Sequence, residues 1–447
     1  MGKTLLSMGL DVGTSTTQLV ITQLTVENHA SGFCVPEMEI SQRNILYKSP
    51  VQLTPLKGHN LVDGERLRQW VDQQYGQAGI HREQLDTGAI IITGETSRKE
   101  NARTALHALS ESAGKFVVAT AGPHLESILA AKGAGADKLS EERSLTVLHM
   151  DIGGGTSNLA LLKDGQIIAT GCLNVGGRLV KFDESGAVCY RSPVLADMAE
   201  FAIGKVPIQE DTVLLCKKLA ATLEMAAGLR PDTAQLAEFR TTEAGNPWLP
   251  PQEVDLISFS GGVAACMEQD FPARAFGDIG PELARAIRES RLCQMDHQIS
   301  SDAIRATVIG AGCHSTQLSG STVFYRGIDL PIKNLPVVPQ LERLTQEDGP
   351  AVLALTGSDA MSYDQVTALA QQIQIHWPAP PVLIAAEADM AKALGHALAL
   401  RFPPDWGILC IDRVKFSQGS FLDVGQPVGS ALPVVVKTLI LNSKEEL

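Results

Sequence analysis

Two glycine-rich stretches, roughly 140 residues apart, limit what this chain can fold into: GLDVGTSTTQLVI at 9–21 and MDIGGGTSNLALL at 150–162. Each sets an aspartate at the end of an apolar run (Leu5, Leu6, Met8 and Leu10; Val147, Leu148 and Met150), followed by glycines and a second β-rich run. Each therefore reads as strand, tight turn, strand: a hairpin tip, not a helix start. Glycine lets the backbone close on a phosphate, and successive N–H groups of such a turn make an anion-binding nest. Gly13, Gly153, Gly154 and Gly155 are the candidates, with hydroxyl donors at Thr14, Ser15, Thr16, Thr156 and Ser157. An aspartate repels a polyphosphate unless it faces a hard cation such as Mg2+ or the attacking water, and those are the roles read for Asp11 and Asp151. One such turn alone is ordinarily just a hairpin with left-handed glycines. Two in the same context point to one triphosphate gripped between two lobes.

Other phosphate motifs fail. Gly2 to Thr4 resemble the tail of a Walker A sequence but have no glycine loop upstream, and no G-x-G-x-x-G opens a helix after a strand. With 447 residues, 44% hydrophobic and 19% charged, the chain is long enough for two or three globular domains. Its 50 acidic against 37 basic residues leave no basic patch suited to nucleic acid or an anionic membrane. No signal-like segment and no run of 18 apolar residues occurs, which reads as a cytoplasmic protein. The eight cysteines are scattered without zinc spacing and read as reduced, mostly buried side chains.

Along the chain, alternating residues to about 56 complete a first sheet, a helix follows over 62–77 with Leu67, Trp70, Val71 and Tyr75 at helical spacing, and 89–93 is a buried strand. A polar helix over 97–110, a strand at 116–119 and a small-residue helix over 124–132 come next. From 145 the order restarts with strands to 151, at 158–162 and at 166–173, then a long helix through 214–227. Residues 229–251, with four prolines, read as an insertion or loop, and 255–267 as a strand breaking at Gly261 and Gly262 into a helix. Those two glycines let an adenosine ring rest on bare backbone. The stretch 306–315 reads as a third glycine-bearing turn, 331–350 as a proline-interrupted linker, and the remainder as further strands and helices.

The two loops, the Ser260-Gly261-Gly262-Val263 turn and their order resemble the superfamily of actin, the heat-shock chaperone ATPases and the sugar kinases. Over nearly its whole length, through MGLDVGTSTTQLVI, AIIITGETSRKENA, VATAGPHLESILAAKGAGA, LHMDIGGGTSNLALL, ISFSGGVAACM and LPVVVKTLIL, the chain is similar to the ethanolamine ammonia-lyase reactivating factors. The resemblance implies an α/β fold, an actin-like (ribonuclease H-like) two-lobed ATPase with an extra C-terminal α/β module. The expected divisions are lobe I at 1–144, lobe II with the adenosine turn at 145–330, and the module at 331–447. It implies ATP and Mg2+ as cofactors, the cation held at Asp11, and the loops around Asp11 and Asp151 on the β- and γ-phosphates. It further implies a partner, the adenosylcobalamin-dependent ethanolamine ammonia-lyase, from which damaged cobalamin is released so that adenosylcobalamin can rebind, in the cytoplasm and in association with a bacterial microcompartment.

Glu126 matches in placement the helix where an acid of this superfamily reaches the catalytic water or metal; a solvent-facing helix glutamate is the plainer reading. Glu95, Arg98 and Lys99 form a second polar cluster beside Gly94. No aspartate has a histidine two residues later, so the D-x-H-x-x-G pattern for ligating cobalt is absent and the cobalamin is expected to stay with the lyase. Two rival functions remain on the same fold: a small-molecule kinase, with a substrate hydroxyl replacing water, and an actin-like scaffold.

Overall fold

The structure is a computed structural model that describes residues 3–13, 16–28, 38–57, 61–92, 109, 117–121, 123–241, 248–314, 317–319, 322–344, 349–356, 361–414, 416, 420–428 and 431–438. Its organising feature is a sheet built twice. The first copy contains β1 (Lys3–Val12), β2 (Thr16–Asn28), β3 (Met38–Lys48), β4 (Thr87–Ile92) and β5 (Val117–Ala121), in the order β3-β2-β1-β4-β5. β1, β2 and β3 form an antiparallel meander, while β4 and β5 extend the sheet parallel to β1. The second copy contains β6 (Val147–Ile152), β7 (Ser157–Lys163), β8 (Gln166–Leu173), β9 (Leu256–Ser260) and β10 (His297–Ile299), in the order β8-β7-β6-β9-β10 and with the same pattern of directions.

Period-two alternation decides what each face meets. Met8, Leu10 and Val12 of β1 pack with Leu67, Val71 and Tyr75 of α1 (Gly64–Ala78). That helix starts at Asp63, whose carboxylate accepts from the Arg66 N–H, and ends at Gly79 with φ 67°. The opposite face of β1 carries Gly9. A Cβ there would lie 2.4 Å from the Val308 carbonyl oxygen, so the bare backbone is what lets α5 (Ala306–His314) lie against the sheet.

Between the two sheets, α2 (Pro123–Gly133) crosses α5. Leu129 of α2 joins Ala89, Ile91 and Ala311 on the first sheet's side, and Ala131 joins Val147, Ala160 and Leu256 on the second's. Glycines set the closeness of that crossing: a Cβ on Gly310 would sit 2.0 Å from the Leu129 carbonyl oxygen, and one on Gly133 1.9 Å from that of Ala306. This corrects the expectation of a turn at 306–315. Gly310 there admits the close crossing with α2 and Gly312 the close approach to β1 and β2, and neither breaks the helix. In the second half, α3 (Gln209–Ala226) and α4 (Gly280–Arg288) pack together over the sheet through Leu219, Leu223, Leu283 and Ile287. The loop expected over 229–251 holds a short helix, Ala234–Phe239.

The C-terminal region forms an eight-stranded sheet from β11 (Gln317–Leu318), β12 (Phe324–Arg326), β13 (Ile332–Val338), β14 (Val352–Leu355), β15 (Val382–Ala386), β16 (Ile408–Ile411), β17 (Ser420–Val424) and β18 (Pro433–Thr438), in the order β11-β18-β17-β13-β14-β15-β16-β12. Its strand β13 overturns the linker expected over 331–350. Pro336 is tolerated because β13 changes neighbours along its length: up to Pro336 it pairs with β17, and only Val337 and Val338 pair with β14. Helices α6 (Tyr363–His376) and α7 (Ala391–Ala399) cover β14–β16 through Val366, Ile373, Leu394 and Leu398. The sheet is anchored on the first sheet, where Val435 packs with Ala89 and Ile91, and Val428 with Leu5 and Leu24.

Candidate functional site

Because the two sheets are copies, their first hairpins emerge as copies. In the first, the Gly13 N–H donates to the Thr16 carbonyl at 2.9 Å; in the second, the Gly153 N–H donates to the Thr156 carbonyl at 2.9 Å. Both turns face one cleft of about 470 Å3. Asp11, Gly13, Thr16, Glu126, Asp151, Gly153, Gly154, Gly155, Thr156, Gly261 and Gly262 all line it. Thr14 and Ser15, together with Glu95, Arg98, Lys99 and nearly all of the helix expected over 97–110, lie outside the described residues. Glu126 stands in the first turn of α2 and is buried, so it is not the solvent-facing glutamate of the plainer reading.

Asp151 is held tightly. Ser260 donates to its Oδ1 at 2.6 Å and Thr307 to its Oδ2 at 3.3 Å. Burial pushes its carboxyl up from the ordinary aspartate range, with hydrogen bonds from Ser260, Thr307 and Asn158 pulling the other way. Beneath it His149 bridges Ser258 and Ser260, each contact 3.0 Å.

Several lining residues went unnoticed in the sequence. Gln18 faces Asp11 across the β1–β2 ladder, and Asn158 faces Asp151 across β6–β7. Both amides are buried, and both follow their acid by the same spacing, a signal a comparison of the two copies would have shown. Gln18 donates to the Ile304 carbonyl at 2.9 Å, leaving its Oε1 buried without a partner. Arg178 is the sole cation among the described lining residues. Its Nε donates to Asp278 at 2.9 Å, and the other Asp278 oxygen accepts from the Gly280 N–H, also at 2.9 Å, at the start of α4.

The turn at Gly261 and Gly262 has two unlike glycines. Gly261 sits at φ 93°, and a Cβ on it would meet the Ile152 carbonyl oxygen at 2.4 Å, so the fold itself requires it. Gly262 has nothing within 4 Å of its ideal Cβ: it opens on the cleft, whose apolar rim includes Val263, Phe271 and Phe276. The electrostatics fit an anion only together with a cation. Asp11, Glu126, Asp151 and Asp278 oppose the single Arg178, so a polyphosphate entering alone meets excess negative charge. Among the described residues no three metal-binding side chains cluster.

A duplicated sheet of this order, with a glycine turn from each copy facing one cleft, is the actin-like ATPase fold. The chain belongs to the family described as ethanolamine utilisation protein EutA, matching it over residues 3–348 and 339–442. It is 38% identical over 465 residues to the ethanolamine ammonia-lyase reactivase EutA of Salmonella typhimurium, covering 98% of this chain and 99% of that protein. Its identity to the protein of the same name from Escherichia coli K12 is 38% over 469 residues, with the same coverage. Among solved structures it is similar to a Ppx/GppA family member of Aquifex aeolicus, with a TM-score of 0.42, 13% identity, and coverage of 69% of this chain and 97% of that one. No helix among the described residues is long and apolar enough to cross a membrane.

Proposed function

We propose that this protein is an ATP- and Mg2+-dependent reactivating factor for ethanolamine ammonia-lyase. It would open the inactivated lyase, in the cytoplasm or within a microcompartment shared with it, so that damaged cobalamin leaves and adenosylcobalamin rebinds. The observation that carries this reading is the pair of matched turns facing one cleft, in a chain whose relatives bear the reactivase name. Bound Mg2+ would neutralise phosphate charge and polarise the terminal phosphoryl group. Asp11 is the carboxylate assigned to hold it. Backbone N–H groups at Gly153–Thr156 and around Gly13 would cradle phosphate oxygens, Gly261 and Gly262 would carry the adenosine, and Asp151 and Glu126 would orient the attacking water.

Hydrolysis can act on a partner only if the ATP and ADP states differ in affinity for its open form. Moving a partner from 1:99 to 99:1 in favour of the open form takes about 5.5 kcal/mol of differential affinity. Closure of the two lobes on ATP and relaxation after hydrolysis could provide that difference. The test mixes the protein with lyase carrying an inert cobalamin without its adenosyl group, then adds adenosylcobalamin, ATP and Mg2+. Lyase activity should return, and should fail to return without metal or with Asp11→Asn. Recovery that ignores nucleotide would refute the reading, and phosphorylation of a small molecule would replace it with the kinase.

A further inference from the structure

His149 is fully buried, does not line the cleft, and has no part in the reading above. It lies on β6 two residues before Asp151, so both side chains leave the same face of the strand. On the parallel neighbour β9 the partners in register are Ser258 for His149 and Ser260 for Asp151. Four side chains thus make a continuous hydrogen-bonded line: Ser258 to His149 Nδ1 at 3.0 Å, His149 Nε2 to Ser260 at 3.0 Å, Ser260 to Asp151 Oδ1 at 2.6 Å.

Proton counting gives the line a direction. A serine hydroxyl has one hydrogen. If Ser260 donates it to the Asp151 carboxylate, the Ser260 oxygen must accept from His149 Nε2–H, and Nδ1 is left to accept from Ser258. Reversing the line would need a protonated Asp151 donating to Ser260, and the imidazole would then carry its hydrogen on Nδ1. We propose that His149 is a positioning residue for Asp151: as the Nε2–H tautomer it orients Ser260, which fixes Oδ1 of the carboxylate and keeps Asp151 a proton acceptor facing the cleft. Burial, which pushes the imidazole pKa down to about 3, agrees with a neutral ring carrying one N–H.

The relay rests on hydrogen-bond geometry alone; its catalytic consequence rests on the hydrolysis reading of the preceding subsection. Two measurements on the full-length protein separate them. Long-range 1H–15N correlation spectra of 15N-histidine-labelled protein, with the His149 signals assigned by their loss in His149→Gln, should show a protonated Nε2 and a bare Nδ1. A hydrogen on Nδ1 would overturn the proposal. In steady-state hydrolysis, His149→Leu should lower kcat by at least about tenfold, the scale of losing a supporting outer hydrogen bond, while the Kd for Mg2+–ATP stays within about twofold. His149→Gln, whose amide can still donate to Ser260, should restore most of the rate, with thermal melting used to verify folding of both variants. An unchanged kcat in folded His149→Leu would also overturn the proposal. A wild-type protein without hydrolysis would refute the preceding reading instead, and the tautomer would still decide the relay.

Discussion

Asp11 and Asp151 stand at the same place in two copies of one sheet, yet the protein holds them differently. Asp11 is half-buried, and its turn is braced by a side chain, the Thr54 hydroxyl donating to the Gly13 carbonyl at 2.8 Å. Asp151 is 7% exposed and takes hydrogen bonds from Ser260 and Thr307. Its turn is braced by main chain, with Gly177 N–H on the Gly153 carbonyl at 3.0 Å and Arg178 N–H on that of Gly154 at 2.6 Å. The two turns share one main-chain hydrogen bond, and their neighbours leave Asp11 half-buried while Asp151 is buried beneath Ser260 and Thr307. In the proposed function, Asp11 would hold the cation and Asp151 would position the water.

The largest expected effect is on hydrolysis. Asp11→Asn and Asp151→Asn should each cut turnover at least about 100-fold, typical of losing one preorganised electrostatic group, measured as phosphate release by folded protein. They should differ in metal response: raising Mg2+ should recover part of the rate in Asp11→Asn and none in Asp151→Asn. Identical metal titrations would erase the contrast drawn between the acids.

Next come Gly261 and Gly262, the proposed seat of the adenosine. Gly262→Val adds its side chain to open space, so the fold should survive while nucleotide affinity drops by about tenfold or more, read by calorimetry. Gly261→Val should instead destabilise the fold, because its backbone is left-handed and packed on Ile152. Equal ATP affinity in Gly262→Val would remove the adenosine from that position.

Stability against pH sharpens the contrast further. The folded Asp151 carboxyl titrates above its unfolded value, so the stability associated with its neutral form is present at low pH and is lost as pH rises through the folded pKa. Asp151→Asn, which cannot ionise, should melt higher than wild type at pH 8, with the gap closing below about pH 4, the ordinary aspartate range. A constant gap would mean that burial is not what governs this carboxyl. The smallest effect is expected at Thr54→Val, which removes the hydrogen bonds of this hydroxyl to the Gly13 carbonyl and to Thr17 and should cost about 2 kcal/mol of stability in denaturant melts. It should loosen the first turn and leave the second untouched.

Strand–turn–strand units were legible because their apolar runs and glycines carry local signals: the strand expected at 166–173 is Gln166–Leu173. The misreadings have a common physical origin. Gly310 and Gly312 looked like turn residues because sequence shows a missing side chain without showing what occupies its place, and here that is Leu129 and the β1–β2 backbone and side chains. Pro336 suggested a linker because proline opposes pairing, whereas β13 changes neighbours at that residue. The acids and glycines that line the cleft could be named because two matched loops were read together. Gln18 and Asn158 required aligning the two copies, and Arg178 with Asp278 could not be seen, because the pair joins elements 100 residues apart.

The central claim is that both turns close on one nucleotide. Hydrogen exchange read by mass spectrometry, with and without Mg2+ and a non-hydrolysable ATP analogue, tests it most directly. The account predicts simultaneous protection of backbone amides in 9–21 and 150–162, appearing at the same analogue concentration and disappearing together when the metal is chelated. Protection of one stretch without the other, or of neither while the analogue binds elsewhere, would contradict it.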